Sequence, residues 1–150
     1  MACMIAVALG LFAWTLAEYL MHRFAFHRFA GFTRSTHPRH HATPRDLRYL
    51  FARPVPVLVV SAMALAALWV ALGTMGGALK VMAGFWAGYL YYETSHYRIH
   101  FGSGNGWLIR KQRQAHFRHH FTAPGKNFGV TTPLWDWVFR TAGPAPGESR

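Results

Sequence analysis

The sequence predicts an all-α, multi-pass membrane protein with about three transmembrane helices and a histidine-rich cytoplasmic helical cap. Three observations lead to this prediction. Long apolar runs interrupt a single-domain chain, residues 1–150, whose formal net charge is +11. The basic side chains fall mainly in two segments, one after the first apolar run and one after the third. All ten histidines lie in four short groups within those same segments.

The three apolar runs have the length that a bilayer requires. Residues 3–21, 54–72 and 78–95 each approach the roughly 20 residues that cross a hydrocarbon core as a helix. The first run lacks the basic leader and small-residue cleavage site of a signal peptide. Segment Gly73–Gly77 predicts a tight turn, so the second and third runs are expected to form a helical hairpin.

The distribution of charge predicts the topology. Basic loops stay on the cytoplasmic side of a membrane, so both basic segments and all the histidines are expected there. Richness in Gly, Ala and Arg indicates a bacterial source, hence a protein of the bacterial inner membrane. Residues 22–53, broken by prolines, predict short helices, and residues 108–122 predict one longer helix. Residues 133–139 suit the membrane interface, and residues 142–150 predict a flexible tail.

The histidines form two pairs and two triplets, and none is left over. The pairs are His22/His27 and His96/His100, and the triplets are His37/His40/His41 and His116/His119/His120. Spacings of three and four place side chains on one helix face, whereas a spacing of five needs a helix end or a bend. Imidazole binds iron, zinc, copper and nickel, and ten ligands are too many for one ion. We therefore expect two ions with about five imidazoles each, every triplet giving two ligands to one ion and the third to its neighbour.

Other interpretations of the histidines and the charge fit less well. Structural histidines usually occur singly, whereas all ten histidines of this chain lie in four short groups. Transporters place ionisable ligands near the bilayer midplane, whereas these lie at or beyond helix ends. A non-catalytic membrane protein that binds or transports zinc remains the alternative from another class. The arginines interleave with metal-ligand spacings between membrane spans, so no nucleic-acid partner is predicted.

The remaining candidate residues are acidic or aromatic. Too few carboxylates exist for a carboxylate-bridged di-iron site of the helical-bundle type. The acidic candidates either orient imidazole N–H groups or pair with arginines; they are Glu18, Asp46, Glu93 and Asp136. The aromatic candidates either line the access route of a substrate or anchor the chain at the interface; they are Phe117, Phe121, Trp135 and Trp137. The arginines are expected to meet lipid phosphates or an anionic donor protein.

Together these motifs resemble a known family. Glu18-Tyr-Leu-Met-His22-Arg-Phe-Ala-Phe-His27, His37-Pro-Arg-His40-His41, His96-Tyr-Arg-Ile-His100 and His116-Phe-Arg-His119-His120 are similar to the histidine boxes of the fatty acid hydroxylase superfamily. These are sterol desaturase-like membrane di-iron oxygenases. The likeness runs from about residue 18 to residue 141. Within the superfamily, the first box and the segment Phe128-Gly-Val-Thr131 look most like the fatty acid or sphingolipid 2-hydroxylases.

The resemblance implies an enzyme, a non-haem di-iron monooxygenase that hydroxylates a long-chain fatty acyl substrate at C2. It implies two iron ions held by all ten histidines, O2 as co-substrate, and a separate cytochrome b5-like or ferredoxin-like electron donor. Zinc can replace iron in preparations. One departure is Phe101, where related enzymes often carry a further histidine after His100. Carotenoid or sterol hydroxylases and desaturases share the same boxes and remain alternatives.

Overall fold

The computed structural model describes residues 1–28, 36–104 and 106–143, and every regular element within these ranges is a helix. The all-α prediction is confirmed. The helices are α1 (Ala2–Leu20), which continues as a π-helix (Met21–Phe26), α2 (His37–Ala42), α3 (Leu47–Leu50), α4 (Pro54–Leu72), α5 (Met75–Phe101), α6 (Trp107–Phe121) and α7 (Leu134–Val138).

The long helices α1 and α5 pack against each other at unusually close range. A Cβ atom added to Gly10 would lie 1.9 Å from the carbonyl oxygen of Val81, and one added to Gly84 would lie 1.9 Å from that of Val7. Glycine is needed at both positions because the two backbones nearly touch. Farther along, Gly88 receives the indole of Trp14. This contact fixes the end of α5, which carries His96 and His100, and the end of α1, which leads directly into the segment with His22 and His27.

Helices α4 and α5 form the expected hairpin, with a tighter turn than predicted. Gly73 ends α4 in the left-handed conformation at φ 68°, and the Thr74 side chain accepts a hydrogen bond from Gly77 N at 3.3 Å. Gly76 and Gly77 belong to the first turn of α5, so the predicted five-residue turn is corrected to two residues. No residue of α4 is buried against protein, which suits a helix that faces lipid.

Two segments are long and apolar enough to cross a membrane, Ala2–Phe26 and Leu47–Leu72. They correspond to the first and second predicted spans. The 27 residues of α5 reach about 40 Å, enough to cross a bilayer, but glycine and tyrosine lower the hydropathy of this helix. The third span therefore stays a prediction, as does the cytoplasmic side of the remaining helices.

The remaining helices and loops cover the histidine-bearing ends of α1 and α5. Helix α6 matches the predicted helix 108–122 within one residue. A small apolar core of Ile99, Ile109 and Val130 joins α5, α6 and the segment before α7. Of the predicted flexible tail, residues 144–150 lie outside the described ranges. Gly143 is held, because its N–H donates to Asn127 Oδ1 at 2.9 Å.

Candidate metal centre

All ten histidines come together in two groups of five at the ends of α1 and α5. Cluster 1 consists of His22, His27, His37, His41 and His119, and cluster 2 consists of His40, His96, His100, His116 and His120. Within each cluster, one ring nitrogen from every histidine lies within 4.8 Å of the others. The histidines also meet between clusters, where the rings of His41 and His120 stack at 4.1 Å.

Helical geometry explains how each triplet divides. In α2, His37 and His41 are four residues apart and join cluster 1, whereas His40 joins cluster 2. In α6, His116 and His120 join cluster 2, whereas His119 joins cluster 1. Residues four apart lie nearly above one another, and the residue just before the second of them is rotated by about 100° around the helix axis, so it points toward the other edge of the same face. The expected division of two and one is what the structure shows.

The π-helix explains the first pair, whose spacing of five does not suit an α-helix. His22 lies within Met21–Phe26, and His27 is the residue that follows. A π-helix makes its hydrogen bonds from each residue to the fifth along, so residues five apart lie on one side. The two imidazole centres are 5.3 Å apart as a result. The sequence indicated a bend or a helix end, and the structure uses a wide turn.

Distances between imidazole nitrogens match the coordination sphere of a metal ion. In cluster 1, Nε2 of His27 lies 3.0 Å from Nε2 of His119 and 3.0 Å from Nε2 of His37. In cluster 2, Nε2 of His116 lies 3.0 Å from that of His100 and 3.2 Å from that of His96. For metal–nitrogen bonds of roughly 2.1 Å, a right angle separates two nitrogens by about 3.0 Å, and a tetrahedral angle by about 3.4 Å. The observed spacing therefore fits five- or six-coordinate ions.

Burial keeps the imidazoles that lie outside the membrane-spanning helices in their neutral form. Burial, with smaller contributions from neighbouring histidines, lowers the pKa of His40 to about 3 and that of His41 to about 4. Burial also lowers the pKa of His119 to about 3, and it holds the pKa values of His37 and His120 far below the usual range. A neutral imidazole has the free lone pair that a metal requires. The residues present thus fit a pair of metal ions.

Backbone carbonyls of one loop orient two ligands of cluster 1. The Nδ1 atom of His22 lies 2.6 Å from the carbonyl oxygen of Phe128, and that of His119 lies 2.8 Å from the carbonyl oxygen of Lys126. Metal-binding histidines usually donate their second ring N–H to such an acceptor, which fixes the tautomer and directs the other nitrogen. Loop 126–131, absent from our sequence-based candidates except for its likeness to the family, therefore contributes to the site.

Two predicted acidic residues act on this loop rather than on imidazole. Asp136 accepts hydrogen bonds from Phe128 N at 2.9 Å, Gly129 N at 2.8 Å and the Thr141 hydroxyl at 2.7 Å. Glu18 accepts from Val130 N at 2.6 Å and from both the amide and the hydroxyl of Thr131. These buried carboxylates support the carbonyls that orient the histidines, one step farther from the clusters than predicted.

The other two acidic residues also lie away from imidazole in the part of the chain that the structure describes. Asp46 precedes α3 as its N-cap and forms an ion pair with Arg48 at 2.6 Å. Of the two roles predicted for the acidic residues, Asp46 therefore has the pairing with arginine. Glu93 accepts a hydrogen bond from Ala52 N at 3.2 Å and so joins the start of α4 to α5. The predicted direct contact of carboxylates with imidazole N–H groups is thus replaced by contact with backbone, hydroxyl and arginine groups.

The four aromatic candidates divide between the protein interior and its surface. Phe117 contacts His100 at a centroid distance of 5.6 Å and packs on the small apolar core. Trp135 contacts Phe12 and donates its indole N–H to the Thr15 hydroxyl at 2.9 Å. Phe121 and Trp137 are 61% and 65% exposed, as expected for anchors at an interface.

A nearly apolar cavity of about 390 Å³ lies between α1 and α5. Its lining includes Phe12 and Trp14 from α1, Gly88 and Tyr91 from α5, and Thr131 from the loop that Glu18 holds. Trp14 contacts Tyr92, and Tyr92 stacks on His96 at 5.6 Å. The cavity is therefore separated from cluster 2 by a layer of aromatic side chains. None of the four predicted aromatic residues lines it.

The fold and the two clusters together define a class, the all-helical, membrane-associated proteins with two adjacent groups of histidines that could hold metal ions. The sequence matches the fatty acid hydroxylase family over residues 7–141, and the chain belongs to that family. The fatty acid 2-hydroxylase of Homo sapiens is 36% identical over 148 residues, which cover 91% of this chain and 39% of that protein. A dihydroceramide fatty acyl 2-hydroxylase of Arabidopsis thaliana is 34% identical over 142 residues, covering 90% of this chain and 59% of that protein.

A solved structure has the same fold. It is described as full-length scs7p with only the hydroxylase domain visible, and it matches with a TM-score of 0.83 and 31% identity over 98% of this chain and 58% of that one. These relatives confirm the resemblance to the 2-hydroxylase branch. They are animal, plant and yeast proteins, so they lend no support to a bacterial inner membrane. The chain spans about two fifths of the human relative's length.

Proposed function

We propose that this chain is a membrane di-iron monooxygenase that hydroxylates a long-chain fatty acyl substrate at C2. The observation that carries the proposal is the convergence of ten imidazoles into two five-membered clusters in a member of the fatty acid hydroxylase family. Relatives named fatty acid 2-hydroxylase and dihydroceramide fatty acyl 2-hydroxylase support the position of hydroxylation and the acyl substrate.

The proposed reaction inserts one atom of O2 between carbon and hydrogen at C2 and reduces the other atom to water. It consumes two electrons and two protons, and the electrons come from an electron donor. Triplet O2 does not insert into a C–H bond without a centre that can pass electrons to it, and no side-chain acid or base does this, so the chemistry requires a redox-active metal. The histidines of cluster 1 and cluster 2 would hold two iron ions, which would supply the activation of O2. The protein's own groups orient the imidazoles, exclude water from the clusters and bind the acyl chain.

Each of these tasks has residues that suit it. Carbonyls of loop 126–128 direct the imidazoles of His22 and His119, and Asp136 holds that loop. Burial of all five histidines of cluster 2 keeps bulk water from that cluster. The apolar cavity between α1 and α5 can take part of an acyl chain, with the polar end toward the histidines. We place the clusters on the cytoplasmic side, because the basic segments accompany them.

Lipid mass spectrometry tests the proposal. Host membranes that contain this chain and a compatible reductase system are compared with membranes that contain the His119→Ala variant. We expect acyl lipids that gain one oxygen atom, with fragments that place the hydroxyl at C2, and we expect the variant to give none. Size-exclusion profiles of both proteins in detergent show whether the variant has kept its fold.

The alternatives give different products. A desaturase on this scaffold removes two hydrogens and adds no oxygen, and a carotenoid or sterol hydroxylase modifies those lipids instead. A protein that only binds or transports zinc changes no lipid with any donor. An active His119→Ala variant would contradict the assignment of that histidine as a ligand.

A further inference from the structure

An open groove of about 790 Å³ lies at the end of α5, beside cluster 2. Residues 43–48 form one wall of this groove and Phe101 forms the other. Tyr97 stacks on Phe101 at a centroid distance of 5.2 Å, which holds that ring in place. The lining residues belong neither to the clusters nor to the apolar cavity between α1 and α5, so the groove is a separate feature of the molecule.

Both walls of the groove continue directly from histidines of cluster 2. Phe101 follows His100 in α5, and Thr43 comes three positions after His40. The charge of Arg45, in the same wall as Thr43, acts on the imidazole of His100. The guanidinium is therefore within electrostatic range of a candidate ligand, and a group bound in the groove lies close to cluster 2.

Arg45 gives the groove a positive charge that no carboxylate neutralises. The groove contains two arginines and one acidic residue, and Asp46 pairs with Arg48 at 2.6 Å. Arg45 makes no hydrogen bond or ion pair within the described ranges. The other lining residues are uncharged; they are Thr43, Pro44, Leu47 and Phe101. A guanidinium in such surroundings suits an anionic oxygen group, and its planar fork matches the two oxygens of a carboxylate.

The cavity, cluster 2 and the groove follow one another along α5. Tyr91 lines the cavity. His96 and His100 belong to cluster 2, and Phe101 lines the groove. At a rise of 1.5 Å per residue, about 15 Å separates Tyr91 from Phe101 along the helix. An acyl chain whose tail enters the cavity and passes cluster 2 therefore brings its polar end to the groove.

We propose that the groove binds the carboxylate of an unesterified fatty acid and that Arg45 holds this group there. The inference rests on the proposed function and names the form of its substrate. C2 is bonded to the carboxyl carbon, so a carboxylate fixed next to cluster 2 places C2 beside the candidate ligands. An acyl chain in amide linkage has a neutral carbonyl at this position and makes a weaker hydrogen bond to a guanidinium.

Binding of a matched pair of ligands tests this inference. The ligands are tritiated palmitate and tritiated palmitamide, which share one acyl chain and differ in charge at C1. The proteins are the metal-loaded unmodified chain and its Arg45→Gln and Arg110→Gln variants, all in detergent without reductant. Arg110 is the control, because it is an exposed arginine near the start of α6 that does not line the groove. A scintillation proximity assay measures each affinity.

We expect Arg45→Gln to weaken palmitate binding about tenfold and to change palmitamide binding less than about twofold. Arg110→Gln should leave both affinities within about twofold of the unmodified protein. Arg45→Lys keeps the charge and should recover part of the loss. An unchanged affinity for palmitate in Arg45→Gln, or an equal loss for both ligands, would overturn the proposal. Tighter Arg45-dependent binding of palmitoyl lysophosphatidic acid than of palmitate would overturn it in favour of a headgroup phosphate.

The hydroxylated products give a second readout, which a purely structural role of Arg45 would not change. With palmitate as substrate, Arg45→Gln should raise KM about tenfold with a smaller change in kcat. Part of the hydroxyl should also move from C2 to C3, because the carboxylate no longer fixes the chain. An unchanged KM with hydroxylation at C2 alone would contradict the role of Arg45.

The binding assay needs neither O2 nor an electron donor, so this inference and the proposed function can fail separately. If the unmodified protein binds palmitate through Arg45 but forms no hydroxylated lipid, the groove assignment stands and the proposed reaction fails. If the unmodified protein hydroxylates lipids and Arg45→Gln binds palmitate normally, the reaction stands and the groove assignment fails.

Discussion

Cluster 1 and cluster 2 contain the same number of histidines and are built in different ways. Cluster 2 takes four of its five imidazoles from two helices of 27 and 15 residues, and all five are buried. Cluster 1 draws on a π-helix and its end, on the six-residue helix α2 and on α6, and three of its five histidines are at least partly exposed. The difference indicates a rigid, enclosed candidate metal site beside a more accessible one.

The two halves of the chain nevertheless exchange one ligand each. The first half supplies four histidines to cluster 1 and sends His40 to cluster 2, and the second half supplies four to cluster 2 and sends His119 to cluster 1. Each half is therefore incomplete without the other. Loss of either crossing histidine is expected to loosen the junction between the halves as well as one metal site.

The largest expected effect comes from two single substitutions, each of which removes one candidate ligand from one cluster. We expect His100→Ala and His27→Ala both to abolish hydroxylation and to lower the bound metal from two ions to one. His100 is buried and leaves a cavity, so its variant should also unfold several degrees lower, since about 1 kcal/mol shifts the midpoint by roughly 2–4 °C. Elemental analysis and thermal unfolding in detergent measure the two effects. Equal unfolding temperatures for the two variants would contradict the distinction between an enclosed cluster 2 and a more accessible cluster 1.

A smaller effect is expected from Asp136→Asn. An amide can accept with one oxygen only, so it cannot keep all three hydrogen bonds that Asp136 accepts from Phe128, Gly129 and Thr141. Loss of such support typically lowers metal affinity by about 10- to 100-fold. We expect that loss at cluster 1 alone, measured by competition with a calibrated chelator. Asp46→Asn, at an exposed ion pair, is the control; weakened binding at both clusters would refute the assignment.

Chelation of the unmodified protein should separate the clusters in time. An accessible site releases its ion more readily than an enclosed one, so we expect two phases of equal amplitude with rates about tenfold apart. The fast phase is assigned to cluster 1 and should speed up in Asp136→Asn, whereas the slow phase should not. A single phase in the unmodified protein would show that the two ions leave together.

The smallest effect concerns pH and the metal-free protein. Folding lowers the pKa of His40 and of His119 to about 3, from about 6.5 in the unfolded chain. Their contribution to stability is complete above about pH 6.5 and is lost as pH falls toward about 3. Between these two pH values, each histidine lowers the free energy of unfolding by about 1.4 kcal/mol for every unit by which the pH falls. We expect the unfolding temperature of metal-free protein to fall between about pH 6.5 and 5.5; a constant value would contradict it.

The sequence revealed the histidines because their signal is local. A spacing of three or four reports directly on the face of a helix, so the division of the triplets followed from residue numbers alone. The apolar runs likewise predicted α1 and α4. Helix α6 was predicted within one residue because its histidines and flanking glycines mark its extent.

The hydrogen bonds that support the histidines could not be predicted from the sequence, because they join distant parts of the chain. Glu18 reaches Val130 across 112 positions, and His22 reaches Phe128 across 106. No periodicity encodes such contacts, and a carboxylate beside basic segments fits an arginine partner equally well. The π-helix had one local signal, the five-residue spacing of His22 and His27, which pointed to a bend without specifying its form.

The close approach of Gly10 to α5 has a consequence for the whole assembly. No loop separates the apolar length of α1 from His22, since the helix passes directly into the turn that carries this ligand. Helix α1 therefore pivots at its glycine contact with α5, and it links a candidate membrane span to His22, a candidate metal ligand. A bilayer of different thickness that tilts this helix would displace the first histidine pair, making the surrounding lipid itself a regulator of the centre.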